Sequence, residues 1–208
     1  MTPSFEFIGG DVSLDLVNTL MHRGHPAGAD DLLQTGHDVR RWFQEAGVVS
    51  AREADALDAE SALYGARRLR TALDQLYRPL SRRDAPATST GLDTLNAVLA
   101  QGRERTEVSL TPQGFARSTR LEVLGPIDPS VQVAHAAAAL LGRLQPARLK
   151  ECENPDCDLL FYDESRNASR RWCAMQSCGN VTKQARHRSS RRARQAPGAQ
   201  VEANQRDS

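Results

Sequence analysis

Apolar positions recur at helical spacing over most of the first 145 residues, with short alternating stretches between them. Phe5 and Phe7 alternate with polar neighbours and stop at Gly9-Gly10, which predicts a short strand. Asp11 or Ser13 is placed to cap a helix burying Leu14, Leu16, Val17 and Leu20. The Gly- and Pro-containing stretch from His22 to Asp31 reads as a loop. Val39, Trp42 and Phe43 mark an amphipathic helix over about His37 to Ala46, closed by Gly47.

One long helix is predicted from about Ala51 to Leu80, where Ser50 and Glu53 form a capping box. Along it Leu57, Leu63, Leu69, Leu73, Leu76 and Leu80 recur near the helical period. Residues 84–91 form a connector, and a shorter helix runs from about Leu92 to Gln101. Val108 with Leu110, Thr111-Pro-Gln-Gly114, then Leu121 with Val123 predict a hairpin closed by a type I turn. Asp128-Pro129 opens a helix from Val131 to Leu144 that is apolar nearly all round and therefore buried, with His135 as a core histidine whose polar atoms are satisfied. Pro146 marks a boundary. The polar tail over 195–208 lacks apolar periodicity and is expected to be disordered.

Composition adds little until charge is mapped along the chain. The net charge of +1 conceals a segment from Ser165 to Arg194 with nine Lys or Arg and no acid. The rest holds 18 basic against 26 acidic residues. A basic end on an acidic body raises the expectation of a polyanion partner. No run of about 18 apolar residues occurs, so a membrane is not an expected partner. The start at Met1 lacks the pattern of a signal peptide, which points to the cytoplasm and reduced thiols.

The basic segment follows four cysteines in two close pairs, Cys152-x4-Cys157 and Cys173-x4-Cys178, separated by fifteen residues. Two thiolates from each of two tight turns suit one tetrahedral Zn²⁺, and four protein ligands make a structural site. Disulfides and an iron–sulfur cluster are the alternatives. Leu159 to Tyr162 predict a strand beside the metal, and the start of a following basic helix offers N–H groups to the thiolates. The candidate nucleic-acid contacts are Arg166, Arg170, Arg171, Lys183, Arg186, Arg188, Arg191, Arg192 and Arg194. The competing reading makes some of them counter-charges to a tetrathiolate site, the rest a face docked on the acidic body. Trp172 reads as packing of the metal core, with base stacking as the alternative.

Glu164-Ser-Arg-Asn-Ala-Ser-Arg-Arg-Trp-Cys-Ala-Met-Gln-Ser-Cys-Gly-Asn180, with Lys183 and Ala185-Arg186, closely resembles the CGNR-type zinc finger of bacterial proteins assigned to transcription regulation. Leu14-Asp-Leu-Val-Asn-Thr19 resembles the start of the ABATE domain that precedes such fingers. The resemblance covers about residues 5–192. It implies an α+β domain with a stress-signal-sensing role, then a nucleic-acid-binding finger. Val181 stands where the name-giving motif has arginine.

The expected fold class is α+β: a mainly helical domain with a small hairpin over residues 1–147, then a four-cysteine zinc finger with a basic helix over 148–194. Asn18, His22, Arg41 and Arg70 are the candidate pocket for an unidentified small-molecule effector. No phosphate loop, nucleophile elbow or His-Glu-x-x-His occurs, and Glu164 is the single carboxylate near the cysteines in the sequence considered as a base, so no enzymatic activity is expected. The expected function is transcription regulation, with the finger on double-stranded DNA and the first domain sensing a signal or forming a homodimer. An RNA-binding zinc protein and a protein-interaction module with a purely structural zinc are the alternatives.

Overall fold

The computed structural model of the chain describes residues 4–23, 28–83, 89–125 and 128–184. Among the described residues, six α-helices and three two-stranded antiparallel sheets make up most of the regular structure, so the fold is α+β with a mainly helical first part. Helix α1 (Val12–Val17) is capped by Asp11, which accepts from the Ser13 N–H at 2.9 Å. Strands β1 (Leu20–Met21) and β2 (Asp30–Asp31) pair across the stretch expected to be a loop. Helix α2 (Gly36–Glu45) starts at a Thr35/Asp38 capping box.

The predicted long helix is two helices. α3 (Ala51–Ala56) carries the Ser50/Glu53 capping box, and α4 (Ala59–Arg82) has its own cap in Asp58, which accepts from the Ser61 N–H at 2.8 Å. Leu57 between them is extended, and its spacing with the later leucines hid the break. α5 (Ser89–Leu99) begins three residues earlier than expected. The hairpin is longer than expected, with β3 (Gly102–Thr111) and β4 (Gly114–Val123) in full register.

Helix α6 (Ser130–Arg143) buries Val131, Val133, Ala134, Ala137 and Leu140, while Gln132, Ala139, Gly142 and Arg143 are exposed, so its apolar sequence overstates its burial. The His135 Nε2 is buried without a hydrogen-bond partner among the described residues, contrary to the satisfied histidine expected there. Phe5 and Phe7 form no strand; Phe5 stacks edge-on against Phe7, and Phe7 lies 6.2 Å from the Trp42 ring. The expected tail at 195–208 lies outside the described residues.

The main core gathers Leu14, Leu16, Trp42, Phe43, Leu69 and Leu73 from α1, α2 and α4 with Val131 and Leu140 from α6. It continues past Pro146 into β5 (Leu149–Glu151) and β6 (Leu160–Tyr162). All three β6 residues are buried, and they alternate: Leu160 and Tyr162 belong to the main core, whereas Phe161 belongs to a second core with Cys152, Leu159 and Cys173. Strand β6 is therefore the wall between two cores.

The outer edge of that wall is closed by the N-terminal segment. Gly9 O accepts from the Tyr162 N–H at 2.7 Å. Beside it, Gly10 has φ +81°, and a Cβ there would lie 3.2 Å from the Tyr162 carbonyl oxygen, so both backbone conformation and close approach call for glycine. Helix α4 holds the other side through ions: Arg78 pairs with Asp74 at 2.7 Å and Glu151 at 2.5 Å, and Arg82 reaches Glu151 at 2.9 Å.

Candidate metal centre

The two cysteine pairs arrive from opposite directions. Cys152 leaves β5, and the tight turn at Asn154-Pro-Asp156 returns the chain to Cys157, whose N–H donates to Asn154 O at 2.9 Å. Cys173 precedes a wide helical turn, Met175–Gly179, that carries Cys178. The four sulfur atoms lie within 4.8 Å of one another.

Cys157 and Cys173 sulfurs are 3.7 Å apart, and Cys173 and Cys178 sulfurs 3.5 Å. A disulfide needs about 2.05 Å, and all four cysteines are free. Four thiolates at about 2.3 Å from one tetrahedral ion stand about 3.8 Å apart, so the separations fit one metal ion. A multi-iron cluster spreads its thiolates around several metals and calls for a wider cage.

Electrostatics agree with that fit. Thiols of Cys157 and Cys173 donate toward Cys152, and backbone N–H groups of Cys173 and Asn154 add to them, which pulls Cys152 down to about 2. Its bond to Cys152 pushes Cys157 up to about 12, and Cys152 and Cys157 together push Cys173 up. One thiolate thus resists the next, and a divalent cation at the centre removes that resistance.

The expected source of the N–H donors was the helix after Cys178. They come instead from the turns themselves: the Cys173 N–H lies 3.4 Å from Cys152 Sγ, and the Asn154 Nδ2 donates to Cys178 Sγ at 3.3 Å. Asn154, inside the first cysteine pair, thus reaches a sulfur of the second.

A second residue set holds the loop between the pairs. Asp163, fully buried, accepts from Lys150 Nζ at 2.8 Å, the Ser165 N–H at 3.0 Å and the Arg170 N–H at 2.8 Å. These donors outweigh desolvation and hold its carboxyl well below the usual range. Nothing in the spacing of the sequence marks Asp163 or Lys150 for this role.

The basic residues divide by what they touch. Arg170 lies 4.3 Å over the Phe161 ring and donates to Ile8 O at 2.9 Å, Trp172 O at 3.1 Å and Cys173 O, tying the second cysteine pair to the N-terminal segment. Arg171 pairs with Glu153 and lies over Trp172. Trp172 packs beside the cysteines, with its Nε1 buried and unpartnered among the described residues.

Arg166 and Lys183 are exposed and make no ion pair among the described residues. Arg186, Arg188, Arg191, Arg192 and Arg194 lie outside those residues. Asn180 to Gln184 follow the wide turn; Thr182 is buried and donates to Cys178 O at 2.8 Å, whereas Val181, at the motif's arginine position, is half exposed.

Asn18, His22, Arg41 and Arg70 do not converge on one cavity. Asn18 meets the backbone of Leu160. Arg70 forms a bidentate pair with Asp31 at 2.7 and 2.8 Å and also donates to Thr19. His22 Nδ1 lies 2.7 Å from Asp30, and Arg41 covers the Phe5 ring at 4.4 Å. Glu164 is exposed, 3.7 Å from Arg143.

Two family models match the chain. Residues 10–143 are similar to ABATE, described as "Putative stress-induced transcription regulator", and residues 148–192 to the CGNR zinc finger. No curated protein matches it. Among the described residues no helix is long and apolar enough to cross a membrane.

Proposed function

The chain belongs to the ABATE family, with a CGNR zinc finger after the ABATE region, and from that premise we propose that it is a transcription regulator whose zinc-loaded finger binds double-stranded DNA. The carrying observation is the closed four-sulfur set joined to a surface where Arg166 and Lys183 stand exposed. In this reading Cys152, Cys157, Cys173 and Cys178 hold one Zn²⁺, which supplies cross-linking of two turns rather than reactivity, because all four positions are filled by protein. The protein is not an enzyme, works in the cytoplasm, and its ABATE region senses a signal, through a small-molecule effector, or mediates dimerisation.

Arg166 and Lys183, with the arginines from Arg186 to Arg194, are the phosphate-contacting residues of this reading; Arg170 and Arg171 serve it from within the finger. A dimer presenting two fingers to two half-sites gives a single small module the affinity it otherwise lacks.

Two observations favour other readings. A cavity of about 330 Å³ lined by Ser169, Arg171, Trp172 and Met175 suits an unstacked base and favours RNA. The packing of Leu160 and Tyr162 in the main core favours a finger that braces the protein. Fluorescence anisotropy of the zinc-loaded protein with duplex DNA and single-stranded RNA, at two salt concentrations, separates the three. Salt-sensitive duplex binding is expected. Preference for RNA promotes the second reading, and no binding to either with zinc retained promotes the third.

A further inference from the structure

The β3–β4 hairpin has two unlike faces. Cross-strand register places Gly102 with Val123, Glu104 with Leu121, Thr106 with Thr119, Val108 with Arg117 and Leu110 with Phe115 on one of them. At the base this face is covered: Leu121 and Val123 pack on the main core, and a Cβ on Gly102 would come within 2.7 Å of Val131. Beyond the body it continues uncovered, with Val108 68%, Leu110 77% and Phe115 85% exposed. The opposite face is the solvated one, carrying Arg103–Glu122, Arg105–Glu122 and Arg120–Glu107 pairs. An exposed apolar tip at the end of a hairpin whose other face is polar is a candidate contact surface.

The same chain carries a matching receptor. A groove of about 560 Å³ runs between α4 and α5, with Leu63 and Ala72 in its lining, Thr71 and Gln75 beside them and Tyr64 70% exposed. Glu60 and Arg68, also in the lining, make no ion pair among the described residues. They stand eight residues apart on α4, about 12 Å along the axis. On the apolar face of the hairpin the two charges likewise unpaired among the described residues are Glu104 and Arg117, on opposite strands. The two pairs are of opposite order in charge and of similar separation, since Glu104 and Arg117 lie four residues apart along the hairpin register, about 13 Å, which lets Arg117 face a Glu60 and Glu104 an Arg68 of a second copy.

We infer that two copies of this chain associate by each inserting its hairpin tip, Leu110 and Phe115, into the α4–α5 groove of the other. Reciprocal insertion closes a two-fold dimer, whereas a one-way contact of the same kind would build an open chain of subunits. Three largely exposed apolar side chains offer roughly 400 Å². Because every subunit gives both a tip and a groove, the reciprocal exchange engages two tips and two grooves, twice the contact of a one-way insertion. The inference deepens the dimeric regulator reading but needs neither zinc chemistry nor nucleic acid, so it is tested without DNA.

Sedimentation velocity of the zinc-loaded full chain tests it with Phe115→Asp at the tip and Thr71→Arg in the groove, both at exposed positions, with zinc content and far-UV circular dichroism as fold controls. The wild type is expected to be a dimer and each variant a monomer. An equal mixture of the two variants regains a dimer through its one intact tip-in-groove contact, at least tenfold weaker than wild type. A monomeric wild type overturns the inference, as does a dimeric Phe115→Asp. A monomeric Phe115→Asp beside a dimeric Thr71→Arg overturns the groove as receptor.

Discussion

The Asn18 side chain pairs with both backbone groups of Leu160: its Nδ2 donates to the carbonyl oxygen at 2.8 Å and its Oδ1 accepts from the N–H at 2.8 Å. One amide side chain thus takes the place of a neighbouring strand along β6. Both residues are buried.

Replacement of Asn18 by Ala leaves two buried backbone groups without partners, at about 1–3 kcal/mol each. The expected result is a loss of about 3 kcal/mol in urea unfolding and faster loss of zinc to a chelator, because β6 also bounds the cysteine core. An unchanged midpoint in urea would show that water or a shifted strand replaces the amide.

Metal removal should be felt well outside the finger. Metal binding acts as folding free energy, and the proposed zinc site adjoins a strand that two cores share. Chelation should lower the melting temperature by about 10 °C or more and raise exchange of amides in α1 as well as in β5 and β6. Cys173→Ser should bind less than one equivalent of zinc; a full equivalent would remove Cys173 from the ligand set.

Asp15 is 8% exposed, and burial pushes its carboxyl up from 3.8 to about 6, against the opposing hydrogen bond from the Gly9 N–H. Between about pH 4 and pH 6 the unfolded chain has released this proton while the folded chain keeps it. Stability therefore declines as pH rises through that window, by up to about 3 kcal/mol. Asp15→Asn keeps an acceptor for Gly9 and should flatten that decline in denaturant titrations at pH 4 and pH 7. Parallel wild-type and variant curves would exclude Asp15 as its source.

Arg166→Gln with Lys183→Gln should weaken duplex binding and reduce the salt slope by about two, with no change in unfolding. Arg170→Gln should do the reverse, lowering stability and zinc retention, because its bonds run to Ile8, Trp172 and Cys173 within the protein. A salt-slope change from Arg170→Gln in a fully folded, zinc-loaded protein would move Arg170 to the phosphate-contacting group.

Val181 is half exposed, so Val181→Arg meets no steric obstacle. It should leave the melting temperature unchanged and tighten duplex binding several-fold at low salt. No gain in affinity would mean that the arginine usual at this position in the motif does not face nucleic acid.

The cysteine set was legible because ligand type and spacing are written locally, two close pairs and a hairpin-length insert. The helices were legible where apolar period and caps agreed, as at Ser50. They were misjoined at Leu57-Asp58, where a continuing leucine period hid a second cap. Asn18 was visible as a polar residue in an apolar helix, yet its partner lies 142 positions away, and no local pattern encodes that distance. Arg170 and Arg166 look alike in sequence; only the ring of Phe161 and the carbonyls around Arg170 separate a brace from an exposed cation. The reach of the second core was hidden for the same reason, since Ile8 and Met21 join the cysteines from the opposite end of the chain.

Strand β6 has a consequence for how the protein is made. A ribosome delivers α1 through α6 first, and those helices emerge with a core that still lacks Leu149, Leu160 and Tyr162. The strand that fills the gap lies between the two cysteine pairs. Completion of the helical core therefore waits on synthesis of the segment after α6; with the four cysteines holding a metal ion as proposed above, it would wait on that ion as well, and a chain made without it would be more open to proteases.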